Sequence, residues 1–194
     1  LGFGTALSLQ KDGIARGTAA LVLLGEGEER AMILKDKVAN ALSFNKGSST
    51  QDYPSSLMGS IALLRQTYLD AQWYAQTTNR EMDISLAAWN ANKGLPQIFE
   101  VGDYRSALRA DRIAKEFGVN YILKGGGDEY KRVEEIRKTG SSFIIPLNFP
   151  KAYDITNPFD ALNVSLGEMR HWEMAPANAL MLHNAGVRFA FTTD

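Results

Sequence analysis

Residues 96–146 read PQIFEVGDYRSALRADRIAKEFGVNYILKGGGDEYKRVEEIRKTGSSFIIP. Three short apolar runs begin at Pro96, Tyr121 and Ser142, 25 and 21 residues apart. An amphipathic segment follows each of the first two. Asp103 is placed to cap a helix whose inner face is Ala107, Ala110, Ala114 and Phe117, ended by Gly118. Asp128 is placed to cap another, with Tyr130, Val133 and Ile136 inward, ended by Gly140. Strand–helix alternation at this spacing needs right-handed crossovers, and it predicts a parallel sheet with helices outside. A (β/α)₈ barrel and an open doubly wound sheet both produce the pattern. Strand order separates them: consecutive neighbours make a barrel, a reversal makes an open sheet.

Working outward, Ala19 to Leu24 is a short strand run bounded by Gly17 and Gly25. Met32 to Leu34 and Val38 to Phe44 are shorter strand candidates, and Asn45 to Ser55 reads as a polar loop. A long helix is predicted from Ser56 to Gln76, with Leu57, Ile61, Leu64, Tyr68 and Ala71 on one face. A second runs from about Arg80 to Asn92, with Gly94 ending it in the left-handed conformation. After the third run, a long connection holding Pro150 and Pro158 leads to a helix at Pro176 to Asn184, ended by Gly186, and a last strand at Arg188 to Phe191.

A length of 194 residues suits one domain. A complete barrel needs about 250, so the barrel expected here is incomplete, about strands two to eight, with parallel strands and outer helices. The chain starts at Leu1 and stops on Asp194 straight after an apolar run. Residues 1–194 therefore read as a single partial barrel domain cut from a longer chain. Such a cut bares two apolar strand edges, which predicts poor solubility or homo-oligomers of the isolated segment.

Composition removes several functions. Lys and Arg number 21 against 22 Asp and Glu, a net charge of −1, so there is no electrostatic footprint for nucleic acid or anionic lipid. No run approaches the ~18 apolar residues of a membrane span. Hydrophobic residues at 45% and charged residues at 22% have the balance of a folded domain. Absence of cysteine excludes disulfides, thiolate zinc sites and cysteine nucleophiles, yet leaves the compartment open. The histidines are two, His171 and His183, not at ligand spacing, and both read as structural or surface residues. Tyr68, Trp73 and Tyr74 fit helix packing better than a binding platform.

In parallel α/β folds the site lies at the carboxyl ends of the strands. Glu100, Lys124 with Gly125-Gly-Gly127, Asn148 and Asp194 occupy such places. The triple glycine can expose backbone N–H groups to an anion, with Lys124, Gly126, Gly127 and Asn148 as substrate- or anion-binding candidates. It can equally be a tight turn that lets strand and helix pack closely, and that reading is favoured. A carboxylate on a core strand needs a partner, so Glu100 is either a site residue or one half of an ion pair, with Lys124 the expected other half. Asp194 is placed to act as base or ligand, or as the cap of a following element.

At these residues the chain resembles the amidohydrolase superfamily, in its imidazolonepropionase- and prolidase-like branch. The resemblance lies in the order of Gly13-Ile-Ala-Arg-Gly-Thr18, Tyr53-Pro-Ser-Ser-Leu-Met-Gly59, Leu63-Leu-Arg-Gln66, Ser106-Ala-Leu-Arg109, Ala114-Lys-Glu-Phe-Gly118, Gly126-Gly-Asp-Glu-Tyr130, Ala175-Pro-Ala-Asn178, Ala185-Gly-Val187 and Phe191-Thr-Thr-Asp194. It implies a metal-dependent hydrolase barrel acting on C–N bonds of cyclic amides or dipeptides, with zinc or another divalent metal. Asp194 matches the terminal aspartate that binds metal and takes a proton from metal-bound water. Glu100 falls where one histidine ligand belongs and Gly125 where another does, so the implied metal residues here are Asp194 and Glu100. Two expectations follow: a segment of a hydrolase with most ligands missing, or a catalytically inactive barrel serving a larger protein as a structural or small-ligand-binding module. The implied partners are the remainder of the longer chain and a small molecule.

Overall fold

Short connections decide the first three strands. The chain has only residues 9–14 between β1 (Thr5–Ser8) and β2 (Ala15–Leu23), and residues 24–32 between β2 and β3 (Ile33–Ser43). Neither connection is long enough for a crossover helix, so both pairs are antiparallel. The computed structural model describes residues 2–154, 156, 157 and 159–193. The expectation of parallel strands throughout therefore fails at β1 to β3, while the α/β class stands. Met32 to Leu34 and Val38 to Phe44 merge into the single long β3, and β1 is an additional strand.

From β3 onward the pattern is parallel. The other elements are α1 (Leu57–Gln76), α2 (Ile84–Asn92), β4 (Gln97–Glu100), α3 (Tyr104–Phe117), β5 (Tyr121–Lys124), α4 (Val133–Thr139), β6 (Ser142–Pro146), α5 (Leu166–Met174), α6 (Asn178–Asn184) and β7 (Phe189–Thr192). Two compact units divide them: Leu1–Glu100 with Ile113–Tyr121, and Val101–Arg112 with Ile122–Asp194. Helix α3 contributes its last residues to the first unit and the rest to the second.

In the first unit the strand order is β1-β2-β3-β4, with β3 and β4 parallel. Ser56 caps α1, accepting from the Gly59 N–H, and the helix buries Leu64, Tyr68, Ala71 and Tyr74. An aromatic core runs through this unit. Phe44 packs on Phe99 with centroids 4.6 Å apart, Phe99 on Tyr121 at 5.0 Å, and Tyr68 stacks on Phe117 at 4.6 Å. The Tyr68 and Tyr121 hydroxyls meet at 2.7 Å, which satisfies both inside the core. Helix α2 starts at Ile84 on an Asp83 cap, and it ends through a right-handed Lys93 rather than a left-handed Gly94.

In the second unit the order is β5-β6-β7, all parallel. Its core is Ala107, Ala110, Leu123, Ile136, Phe143 and Leu182. Asp103 caps α3 as expected, accepting the Ser106 N–H at 2.7 Å. Asp128 does not cap the segment that follows it; its carboxylate accepts the Tyr104 N–H at 2.8 Å and so fastens the start of α3. Consecutive order in both units is the barrel-type arrangement, without the reversal of an open sheet.

Two tests follow. Burial raises the pKa of both Tyr68 and Tyr121, Tyr121 far above the usual phenol range. In the unfolded chain they titrate near 10, so above that pH the folded state holds more protons. Stability should therefore fall as pH rises beyond about 10, by up to about 1.4 kcal/mol per pH unit for each tyrosine. Urea denaturation from pH 8 to 11 should show that slope, and Tyr121→Phe should lessen it; a flat profile would refute the coupling. The second concerns Gly126, where a Cβ would stand 1.8 Å from the Gly102 carbonyl oxygen. Gly126→Ala should cost about 1–3 kcal/mol or more in denaturant unfolding. Gly167→Ala, in a helix where a Cβ would make only an ordinary 3.8 Å contact with Ser165 Oγ, should instead be stabilising by about 0.5–1 kcal/mol.

Candidate functional site

A bulge sets the first unit's polar strand end. In the β2–β3 ladder Ala15 faces Leu42 and Gly17 faces Ala41, leaving Arg16 between them without an opposite residue. Gly17 has φ +82°, the left-handed geometry such a bulge uses. The Arg16 side chain reaches the carboxyl end of β4, where its Nη1 donates to Glu100 Oε2 at 2.6 Å, and its Nε donates to the Gly13 carbonyl at 3.0 Å. Arg16 is 5% exposed and Glu100 36%. The core-strand carboxylate thus has a guanidinium partner, and Arg16 is a residue that sequence reasoning did not single out. The cue was Gly17 itself, since an isolated glycine inside a strand run marks a bulge.

Beside it, the loop after β3 is tied back to the β1–β2 turn. Asp12 accepts the Ser48 N–H at 2.8 Å and the Ser48 hydroxyl. These bonds, the hydroxyl first, hold the exposed Asp12 carboxyl below its usual pKa.

The second unit's strand ends carry the triple glycine, and two of its N–H groups have an acceptor within the chain. It is Glu129. Its Oε1 accepts the N–H groups of Gly126 at 3.0 Å and Gly127 at 3.3 Å. Its Oε2 accepts the Asn178 side-chain amide at 2.7 Å. Asn178 Oδ1 in turn accepts the Tyr130 N–H at 2.7 Å. Glu129 is 0% exposed and Asn178 2%. A Cβ on Gly125 would lie 1.9 Å from Glu129 Oε1, so the glycine there makes room for the carboxylate.

A crevice of about 20 Å³ opens over this cluster, lined by Gly126, Gly127, Asn148, His171, Asn178 and Phe191 among others. It has room for about one water. His171 Nδ1 lies 3.1 Å from the Tyr130 hydroxyl, and the two rings stack at 6.0 Å. Burial raises the Tyr130 pKa. Of the residues picked from sequence, Gly126, Gly127 and Asn148 come together in this crevice. Lys124 is half-buried on β5, with its carbonyl accepting the Val101 N–H at 3.0 Å. Glu100 belongs to the first unit. Asp194 lies outside the described residues. His183 is exposed, as are Trp73 and the crevice's Asn148, while Tyr68 and Tyr74 are packing residues.

The metal implied by the resemblance can be tested against these residues, and the described ones do not fit it. Gly125 offers no donor, and any side chain there would displace a buried carboxylate. Glu100 is engaged by Arg16. Among the described residues no three His, Asp or Glu side chains are placed to share an ion. Among the described residues, too, no helix is long and apolar enough to cross a membrane.

No protein-family model matches the chain, and no curated protein matches it. A solved amidohydrolase structure from Thermotoga maritima MSB8 is similar in fold, with a TM-score of 0.76 at 18% sequence identity. The match covers 100% of this chain and 51% of that one, so the chain spans about half the length of that structure. At this identity the likeness shows the fold alone, an α/β arrangement of strands and helices.

Proposed function

We propose that the chain is part of an amidohydrolase-like barrel protein whose strand ends have been given over to structural polar contacts. Its role is that of a non-catalytic, structural and small-ligand-binding module of a larger protein. One observation carries this reading: Gly125, where the resemblance expects a histidine ligand, is packed against the buried Glu129 carboxylate. The Arg16–Glu100 pair points the same way, because a guanidinium sits 2.6 Å from the carboxylate that would face a cation. The second reading is a metal-dependent hydrolase of C–N bonds, in the imidazolonepropionase- and prolidase-like branch. It is favoured by the fold likeness to an amidohydrolase. It needs Asp194 and Glu100 as ligands, with zinc or another divalent ion and further donors.

Metal content decides between them. The protein containing this chain is purified without chelators, offered zinc, and measured by inductively coupled plasma mass spectrometry beside its Asp194→Ala variant. The proposal expects no stoichiometric zinc in either. About one equivalent, lost in the variant together with hydrolysis of cyclic amides or dipeptides, would overturn it in favour of the hydrolase.

The structural role of Glu129 is testable by itself. Glu129→Ala removes the acceptor of the Gly126 and Gly127 N–H groups and leaves the buried Asn178 amide unpartnered, which should cost about 1–3 kcal/mol in urea denaturation. Glu129→Gln keeps an acceptor oxygen and should cost less. A loss below about 0.5 kcal/mol would mean that the carboxylate is dispensable to the fold, and would reopen the turn as a site for an external anion.

A further inference from the structure

The first unit contains a cavity of about 360 Å³ between the β2–β4 strands and the helices α1 and α2. It lies within the size range of small-molecule sites. Its origin is in how α2 is held. That helix buries none of its residues fully. Polar side chains prop it instead. Asn90 Nδ2 donates to the Ala71 carbonyl at 2.8 Å, and the Asp83 N–H donates to the Tyr74 hydroxyl at 3.1 Å. At the other end Asn40 Nδ2, from β3, donates to the Asn92 carbonyl at 2.9 Å, and Gln97 Nε2, from β4, to the Leu95 carbonyl at 2.8 Å. Fixed at both ends by hydrogen bonds, the helix does not settle onto the sheet.

The sheet side of the cavity holds small residues beside Asn40, Leu42 and Gln97. Ala15, Gly17 and Ala41 line it, and a Cβ added at Gly17 would meet nothing within 4 Å. The wall includes Trp89 and Tyr68, whose rings meet edge-on at 5.0 Å. Tyr68 is fixed by its bond to Tyr121. A flat ring therefore finds small residues and an aromatic wall. The lining includes one charged side chain, the exposed Lys93, and no carboxylate.

We propose that this cavity binds a small aromatic carboxylate, with its ring between the Ala15–Gly17 floor and Trp89 and its carboxylate toward Lys93. The proposal gives a ligand class to the binding role stated above. It uses none of the strand-end residues, and metal content and ligand binding are separate measurements, so either can fail alone.

The test is titration of the full chain with 2-naphthoate and with neutral 2-naphthamide, read by calorimetry and by tryptophan fluorescence. Saturable 1:1 binding of the anion is expected, at least about tenfold tighter than the amide, the scale of a lost charge-assisted hydrogen bond. Lys93→Gln should erase that preference. Leu86→Trp, which fills the cavity from α2, should abolish binding of both while the circular dichroism spectrum stays unchanged. Absence of saturable binding to either probe would overturn the site. Equal affinity for both probes, or a preference surviving in Lys93→Gln, would overturn the ligand class. Should Leu86→Trp disturb the fold, Lys93→Gln alone still decides the class, and loss of Trp89 quenching in Trp89→Phe decides the location.

Discussion

A carboxylate with no exposed surface must be met at every oxygen, or the chain would not bury it. Glu129 is met by two glycine N–H groups and by Asn178. That requirement organises the strand ends of the second unit. It demands glycine at Gly125, where a side chain would collide with the carboxylate. It fixes the turn after β5, so that Gly126 can lie against the Gly102 carbonyl. It also recruits Asn178 at the start of α6, and Asn178 orders the backbone at Tyr130. Gly125, the N–H groups of the turn and Asn178 of α6 all meet at this one buried side chain.

Much of the fold was legible because its signals are local. The capping of α3 by Asp103 and the inner face of that helix rest on residues close together in the chain. The spacing of Pro96, Tyr121 and Ser142 gave consecutive parallel strands, as observed for β5 and β6. The antiparallel start was misjudged because an apolar strand run looks the same in either direction. The information lay in the connections, where Gly25-Glu-Gly27 leaves no room for a helix. Helix α5 was missed although Ser165 and Glu168 form a capping box that a sequence can show. The prolines before it drew attention to a loop instead.

The site was legible in need, while Arg16 as a partner was not. A glutamate ending a core strand announces that something must neutralise it, and that much held. That Arg16 takes part depends on a strand 84 residues away and on a bulge that turns one side chain. No pattern near Glu100 contains that information. The same limit hid the occupant of the glycine turn. Its N–H groups were read as able to hold an anion. Their anion stands three residues on, at Glu129, and only the backbone path shows that its side chain folds back.

The bulge at Arg16 adjoins two features of the first unit, the Arg16–Glu100 pair and the cavity beneath α2. The Arg16 side chain goes to Glu100, and Ala15 and Gly17 on either side of it border the cavity beneath α2. Both are small, so β2 adds little bulk at these two positions to the space beneath α2. A larger residue at position 17 would reduce the void, but the left-handed φ of the bulge disfavours one. The geometry that neutralises a carboxylate at the strand end thereby keeps a floor open behind it. Hydrogen bonds from Asn40 and Gln97, rather than apolar packing, then hold the helix above that floor. A cavity bounded by a bulge, two amides and an aromatic pair is a built feature of the fold rather than a lapse in its packing.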